Sequence, residues 1–213
     1  MSIADNREST YSTTQHRSFF QTMLHDVRKS LRGEVHSIPV IRQEMSAALH
    51  KNAKLIDVLT QHHSYIKESV VVCLDQVAQD SERQFHLDRL LQLLEMHAKA
   101  EEQTLYKLLM ASSEKLPRID ASVAQDEHDL TYQLADDLRD MHFQSLWTED
   151  VEAKCLVLCE LVVNHFKKEE DEIFPLAKVC INSGQLNDSA AEYISLCENF
   201  LAMTEIRAKG IFL

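Results

Sequence analysis

The sequence predicts an all-α protein, an up-down-up-down four-helix bundle with extra N-terminal and C-terminal helices. Three observations predict it. Three glycines and three prolines in 213 residues fall far below the usual ~7% and ~5%, so the turn chemistry that β folds need is missing. Apolar residues recur at helical spacing along four long segments, about 53–78, 81–112, 120–143 and 148–182, separated by short breaks. A pattern reading HxxxEE, two residues, aliphatic, aromatic occurs once in the second segment and once in the fourth.

Taken in order, residues 1–14 are polar, and His16 to Leu31 carries Phe19, Phe20, Met23, Leu24, Val27 and Leu31 as a helical stripe closed by Gly33. Ser37 and Pro39 open a short helix reaching about Asn52, because proline is tolerated in a first turn. The four long segments follow. Their breaks fall at Asp80-Ser81 as an N-cap, at Pro117 to Asp120, at Thr148 as an N-cap followed by acids, and at Gly184 as a stop. A last helix over about 188–208 presents Tyr193, Leu196, Phe200, Leu201 and Met203 on one face. The expected organisation is a polar tail and helical extension over 1–52, a metal-binding bundle over 53–182, and a C-terminal helix within 183–213.

Charge and cysteine usage narrow the function. A net charge of −12 repels phosphate backbones, so nucleic acid is not an expected partner. The first residues lack a basic and apolar leader, and apolar runs such as Val70 to Leu74 are far short of the ~18 residues of a membrane span. A soluble cytoplasmic protein without a membrane partner is expected. Five cysteines without CxxC spacing fit reduced thiols. Cys155 and Cys159 stand at ligand spacing, but the apolar run CLVLCELVV reads as core.

Eleven histidines are the compositional anomaly, and their placement is ordered. His97 to Tyr106 (HAKAEEQTLY) matches His165 to Phe174 (HFKKEEDEIF), and His63 and His128 stand 34 and 37 residues ahead of the two motif histidines. On a helix, positions four apart share a face, so His97 with Glu101 and His165 with Glu169 each present an imidazole and a carboxylate one turn apart. In antiparallel helices His63, His97, Glu101, His128, His165 and Glu169 can then meet in one layer. Burying two bare carboxylates costs several kcal/mol each, and divalent metal supplies the counter-charge. Two levels of ligands suit two ions about 3.5–4 Å apart, bridged by the glutamates. Glu102 and Glu170 read as outer acids or acids behind the ligands. His16, His25, His36, His50, His86 and His142 have no HxxxE partner and read as surface or packing residues.

At these residues the chain resembles the hemerythrin-like HHE family of cation-binding bundles, over about 53–180. The resemblance implies a non-haem di-iron centre, two iron ions joined by an oxo or hydroxo bridge. It also implies His63, His97, Glu101, His128, His165 and Glu169 as ligands, with oxygen, peroxide or nitric oxide as the small ligand and oxidative or nitrosative stress or iron handling as the setting. Manganese ranks behind iron, and so does zinc, which prefers four ligands where this layer offers six. Two departures stand out. Oxygen carriers place a second histidine one turn after the third-helix ligand, where this chain has Tyr132, read as a donor to a bound ligand. They also place an aspartate five residues after the last histidine, where this chain has Glu170 beside Glu169. Ferritin-like di-iron bundles need ExxH pairs, and no histidine here has Glu three residues before it. The alternative is an iron- or oxygen-sensing helical regulatory protein in which the metal is structural. The terminal helices are its candidate surface for a homodimer or a protein partner.

Overall fold

The computed structural model describes residues 35–50 and 53–208. The polar tail, the helix expected over 16–31 and its Gly33 stop lie outside the described residues. Among the described residues the secondary structure is helical, without strands. No described helix is long and apolar enough to cross a membrane.

Helix α1 spans Ile38–His50, with Pro39 in its first turn as expected. It buries Ile41 and Met45. Helix α2 spans Leu55–Cys73, ending short of the expected residue 78. There Asp75 accepts the Val77 amide on its own side chain at 3.0 Å, a local turn that competes with the helical ladder. Helix α3 spans Asp80–Glu101. Gln79 occupies the cap position without a side-chain bond, so Asp80 is not the cap expected of it. Asp80 and Glu82 sit in the first turn, where the helix dipole favours acids.

The chain then widens into a π turn, π1, Glu102–Tyr106, before the short α4, Lys107–Met110. Helix α5 spans Lys115–Asp140. It starts five residues before the expected start at residue 120, because Pro117 falls in the first turn, where no intrahelical N–H bond is lost. It ends before His142, whose φ of 54° reverses the chain. Helix α6, Glu149–Lys168, is capped by Thr148, which accepts from the Val151 amide at 3.2 Å. A second π turn, π2, Glu169–Ile173, leads into α7, Phe174–Cys180.

Helix α8 spans Ser183–Ala208, so Gly184 opens a helix instead of stopping one. The break lies at Ile181, whose backbone is extended. Asn182 accepts the Gly184 amide on its side chain at 2.7 Å, as a capping residue does. Helix α8 buries Leu186, Ala190, Tyr193, Ile194, Cys197 and Leu201. Met203, expected on that face, is exposed, and Leu196 and Phe200 are half-buried.

Helix α2 packs on α3, α5 on α6, and α8 lies against both α2 and α3. Two polar ties fix the α2–α3 pair. Arg83 donates to the Cys73 carbonyl at 3.1 Å, covering an orphan carbonyl at the end of α2, and its guanidinium lies over Trp147. Arg89 pairs with buried Glu68 at 3.1 Å and donates to the His36 carbonyl at 2.6 Å. Cys73, Cys155, Cys159 and Cys197 are free and buried, and Cys180 is half-buried.

Candidate metal centre

Each HxxxEE motif runs off the end of an α-helix into a π turn. The first acid of each pair closes the α-helical part or opens the π turn, and the second follows it directly. Single π turns accommodate an extra residue and recur at functional sites. Here they let consecutive acids reach opposite sides of an imidazole.

The first acids face inward. His97 Nε2 lies 3.3 Å from Glu101 Oε2, and His165 Nε2 lies 3.4 Å from Glu169 Oε1. Between helices, His63 Nε2 stands 3.2 Å from Glu169 Oε2, His128 Nε2 stands 3.9 Å from Glu101 Oε2, and the Nε2 atoms of His128 and His165 meet at 3.0 Å. All six side chains are buried. They form two groups of converging donors: Glu101, His128, His165 and Glu169, and His63, His97 and Glu169. Glu169 belongs to both.

The second acids work from behind. Glu102 Oε1 takes the His128 Nδ1 contact at 3.0 Å, and Glu170 Oε1 takes that of His63 at 2.8 Å while also accepting from Lys67 at 2.8 Å. Thus the second-motif acid supports the α2 histidine, and the first-motif acid supports the α5 histidine. Of the two neighbouring acids, Glu169 enters the layer and Glu170 stands outside it. A carboxylate on Nδ1 keeps the proton there and leaves the Nε2 lone pair pointing inward.

The two motif histidines break this symmetry. His165 Nδ1 bonds Glu127 at 2.7 Å, and Glu127 also takes Lys168 at 3.2 Å. The His165 contact and Lys168 outweigh burial and hold Glu127 below the usual carboxylate range. His97 Nδ1 instead meets the Tyr193 hydroxyl at 2.7 Å, and the same oxygen lies 2.7 Å from His62 Nδ1. Tyr106, the aromatic of the first motif, donates its hydroxyl to Glu169. Its counterpart Phe174 lies against His63, and Phe166 stacks on the same ring at 3.9 Å.

Sequence reasoning did not single out Glu127, His62, Tyr193 or Tyr106 as site residues. Tyr106 had a signal in the repeat itself. Glu127 and His62 are chain neighbours of expected ligands, and Tyr193 belongs to a helix outside the repeat. Tyr132, expected to face a bound ligand, donates its hydroxyl to Glu102 Oε1 at 3.1 Å.

Of the histidines without an HxxxE partner, His36 bonds Glu68 at 2.5 Å, His86 is buried on α3, and His142 is exposed. His16 and His25, and the side chain of His50, lie outside the described residues.

The electrostatics of the layer fit a cation. His63 Nε2, His97 Nε2, both Glu101 oxygens and Glu169 Oε2 are buried without a hydrogen-bond partner, and each such atom costs about 1–3 kcal/mol or more. Two nitrogens bound cis to one ion at about 2.1 Å lie about 3 Å apart, which is the His128–His165 spacing. Protons otherwise stand in for the cation. Burial and the Glu169 charge push the Glu101 carboxyl well up. Burial opposes ionisation of Glu169 too, but His165 and His63 hold its carboxyl well down. For His165, burial is outweighed by Glu169 and Glu127, which raise the imidazole to about 9. Its second proton then makes the His128 contact an N–H···N bond.

Searches of curated proteins and of solved structures returned no match. The family model described as the hemerythrin HHE cation-binding domain matches residues 54–177, a span containing both motifs and His63 and His128. The chain belongs to the hemerythrin HHE cation-binding domain family.

Proposed function

We propose that this chain is a non-haem di-iron protein, with its helices in up-down-up-down order, that binds or reacts with oxygen, peroxide or nitric oxide. His63, His97, Glu101, His128, His165 and Glu169 are the residues that hold the ions. The observation that carries this reading is the convergence on one layer of buried nitrogens and oxygens of His63, His97, Glu101 and Glu169 that have no hydrogen-bond partner, beside the paired His128 and His165.

When bound, the ions supply redox chemistry and an electrophilic surface for a small ligand. The chain's own residues orient and insulate that surface. Glu170, Glu102 and Glu127 hold three imidazoles by Nδ1, and Tyr106 holds Glu169 by its hydroxyl. Phe166 and Phe174 wall the His63 side with apolar rings. Imidazole and carboxylate donors without thiolate suit iron.

Metal analysis of protein purified in air, with its ultraviolet-visible spectrum, tests the reading. About two irons per chain are expected, with near-ultraviolet charge-transfer absorption. One tightly held zinc and no iron from iron-replete medium would overturn it.

The competing reading, a sensor in which metal is structural, is favoured by one observation: Tyr193 joins α8 to His97. Azide binding or peroxide turnover supports chemistry, whereas helix loss on metal removal without either supports sensing.

A further inference from the structure

The family match ends at residue 177, yet α8 places a phenol directly behind a candidate ligand. Tyr193 is fully buried, with Ala190, Ile194 and Cys197 buried around it on the same helix. Its oxygen lies 2.7 Å from His97 Nδ1 and 2.7 Å from His62 Nδ1. Behind His63, His128 and His165 stand Glu170, Glu102 and Glu127, carboxylates that only accept. His97 alone among these four rests on a neutral group.

A phenol has one proton, so it donates to one imidazole and accepts from the other. Two orders satisfy the chain of three. In one, His97 Nδ1–H donates to Tyr193, which donates to His62. In the other, His62 donates to Tyr193, which donates to His97, and the His97 proton sits on Nε2 facing Glu101 Oε2 at 3.3 Å. A metal on His97 Nε2 occupies that lone pair and forces the neutral ring's proton onto Nδ1. Only the first order survives.

We infer that Tyr193 is a positioning residue that links occupancy of the metal centre to the docking of α8 through the chain His97, Tyr193, His62. The inference rests on the proposed metal site. Loading selects one hydrogen-bond order and strengthens the hold on α8. By reciprocity, docked α8 strengthens metal binding by the same factor. The C-terminal helix is thereby the part of the chain that responds to loading.

The test uses the full chain and cobalt(II), an oxygen-stable probe of imidazole and carboxylate sites. Affinity is measured by competition with a chelator, and docking of α8 by amide hydrogen exchange with and without cobalt. Tyr193→Phe keeps the ring and removes the hydroxyl. It is expected to weaken cobalt binding about tenfold or more, the usual effect of losing a partner behind a ligand histidine. Wild-type α8 amides are expected to exchange more slowly when cobalt is bound, and Tyr193→Phe to lose that difference. His62→Asn retains an acceptor and should bind cobalt like wild type, whereas His62→Leu should match Tyr193→Phe without adding to it in the double variant. Unchanged affinity in Tyr193→Phe overturns the inference, even if apo stability falls. So does exchange in α8 that ignores cobalt in wild type. Failure of the wild-type chain to bind cobalt, iron or manganese overturns the metal site itself and the inference with it.

Discussion

His128 and His165 meet Nε2 to Nε2 at 3.0 Å, each with a carboxylate on its other nitrogen, Glu102 at 3.0 Å and Glu127 at 2.7 Å. The paired contacts separate acids that face the layer from acids that aim a ligand. Replacing Glu101 or Glu169 by Ala is expected to empty the site and lower stability, because metal binding to the folded chain alone stabilises it. Glu102→Gln, Glu127→Gln and Glu170→Gln keep a hydrogen-bonding group behind each ring and should lower affinity by about 10–100-fold without emptying it. Metal content after dialysis separates the classes. If Glu170→Ala empties the site while Glu169→Ala does not, the division of labour is reversed.

Two buried histidines of the metal-free protein carry opposite pH dependences of stability. Burial, with His63 nearby, holds the His62 imidazole down at about 3. Its contribution is complete above the unfolded value near 6.5 and is lost as pH falls from there towards 3. That amounts to about 2 kcal/mol less stability at pH 5 than at pH 7. His165 runs the other way. Its imidazole is raised to about 9, so its contribution is complete below pH 6.5 and lost as pH climbs to 9. Urea unfolding of the apo chain across pH 4–10 reads both limbs. His62→Leu should make the acid loss shallower by about that amount, leaving the share of His97, whose imidazole burial and His63 also hold well down, and loading with metal should flatten the alkaline limb, since the ion replaces the proton.

The parts of this centre legible in the sequence are those set by covalent spacing. HxxxE puts His97 over Glu101 and His165 over Glu169 wherever a helix forms, and repetition picks the motifs out of eleven histidines. Neighbours in sequence were harder. Residues adjacent on a helix point about 100° apart, so whether Glu127 or His62 faces inward depends on how each helix is rotated against its partners. Tyr193 depends on where α8 docks, which no spacing encodes. Punctuation misled twice. Pro117 and Gly184 read as breaks, yet both occupy first turns, where proline loses no intrahelical N–H bond and the Gly184 amide is taken by the Asn182 side chain.

The buried pair Glu68–Arg89, at 3.1 Å, also receives His36 on Glu68 and the Ser69 hydroxyl on Arg89. Arg89→Met leaves the Glu68 charge buried against His36 alone. A loss of about 3–5 kcal/mol is expected, measured by urea unfolding. Since Arg89 also holds the His36 carbonyl, amides of α1 should exchange faster in the variant. A loss under about 1 kcal/mol, the range of an exposed pair, would show that the pair is solvated in solution.

Tyr132 stands one turn after His128 and donates to Glu102 Oε1, the same oxygen that takes His128 Nδ1. Burial and the Glu102 charge push its phenol well up, so it stays neutral in the metal-free protein. Its effect on the centre runs through Glu102 and His128. Tyr132→Phe should therefore cost about 1 kcal/mol of stability, one hydrogen bond, and weaken metal binding less than Glu102→Gln does. The position also bears on chemistry, because oxygen carriers of the family offer an imidazole there and this chain does not. With one fewer nitrogen available to the proposed ions, the iron-loaded, reduced protein is expected to oxidise rapidly in air instead of holding oxygen reversibly. Stopped-flow mixing of reduced protein with aerated buffer, followed by evacuation, checks it. A long-lived coloured adduct that gives back oxygen under vacuum would make this chain a carrier and would show that the missing imidazole does not decide the outcome.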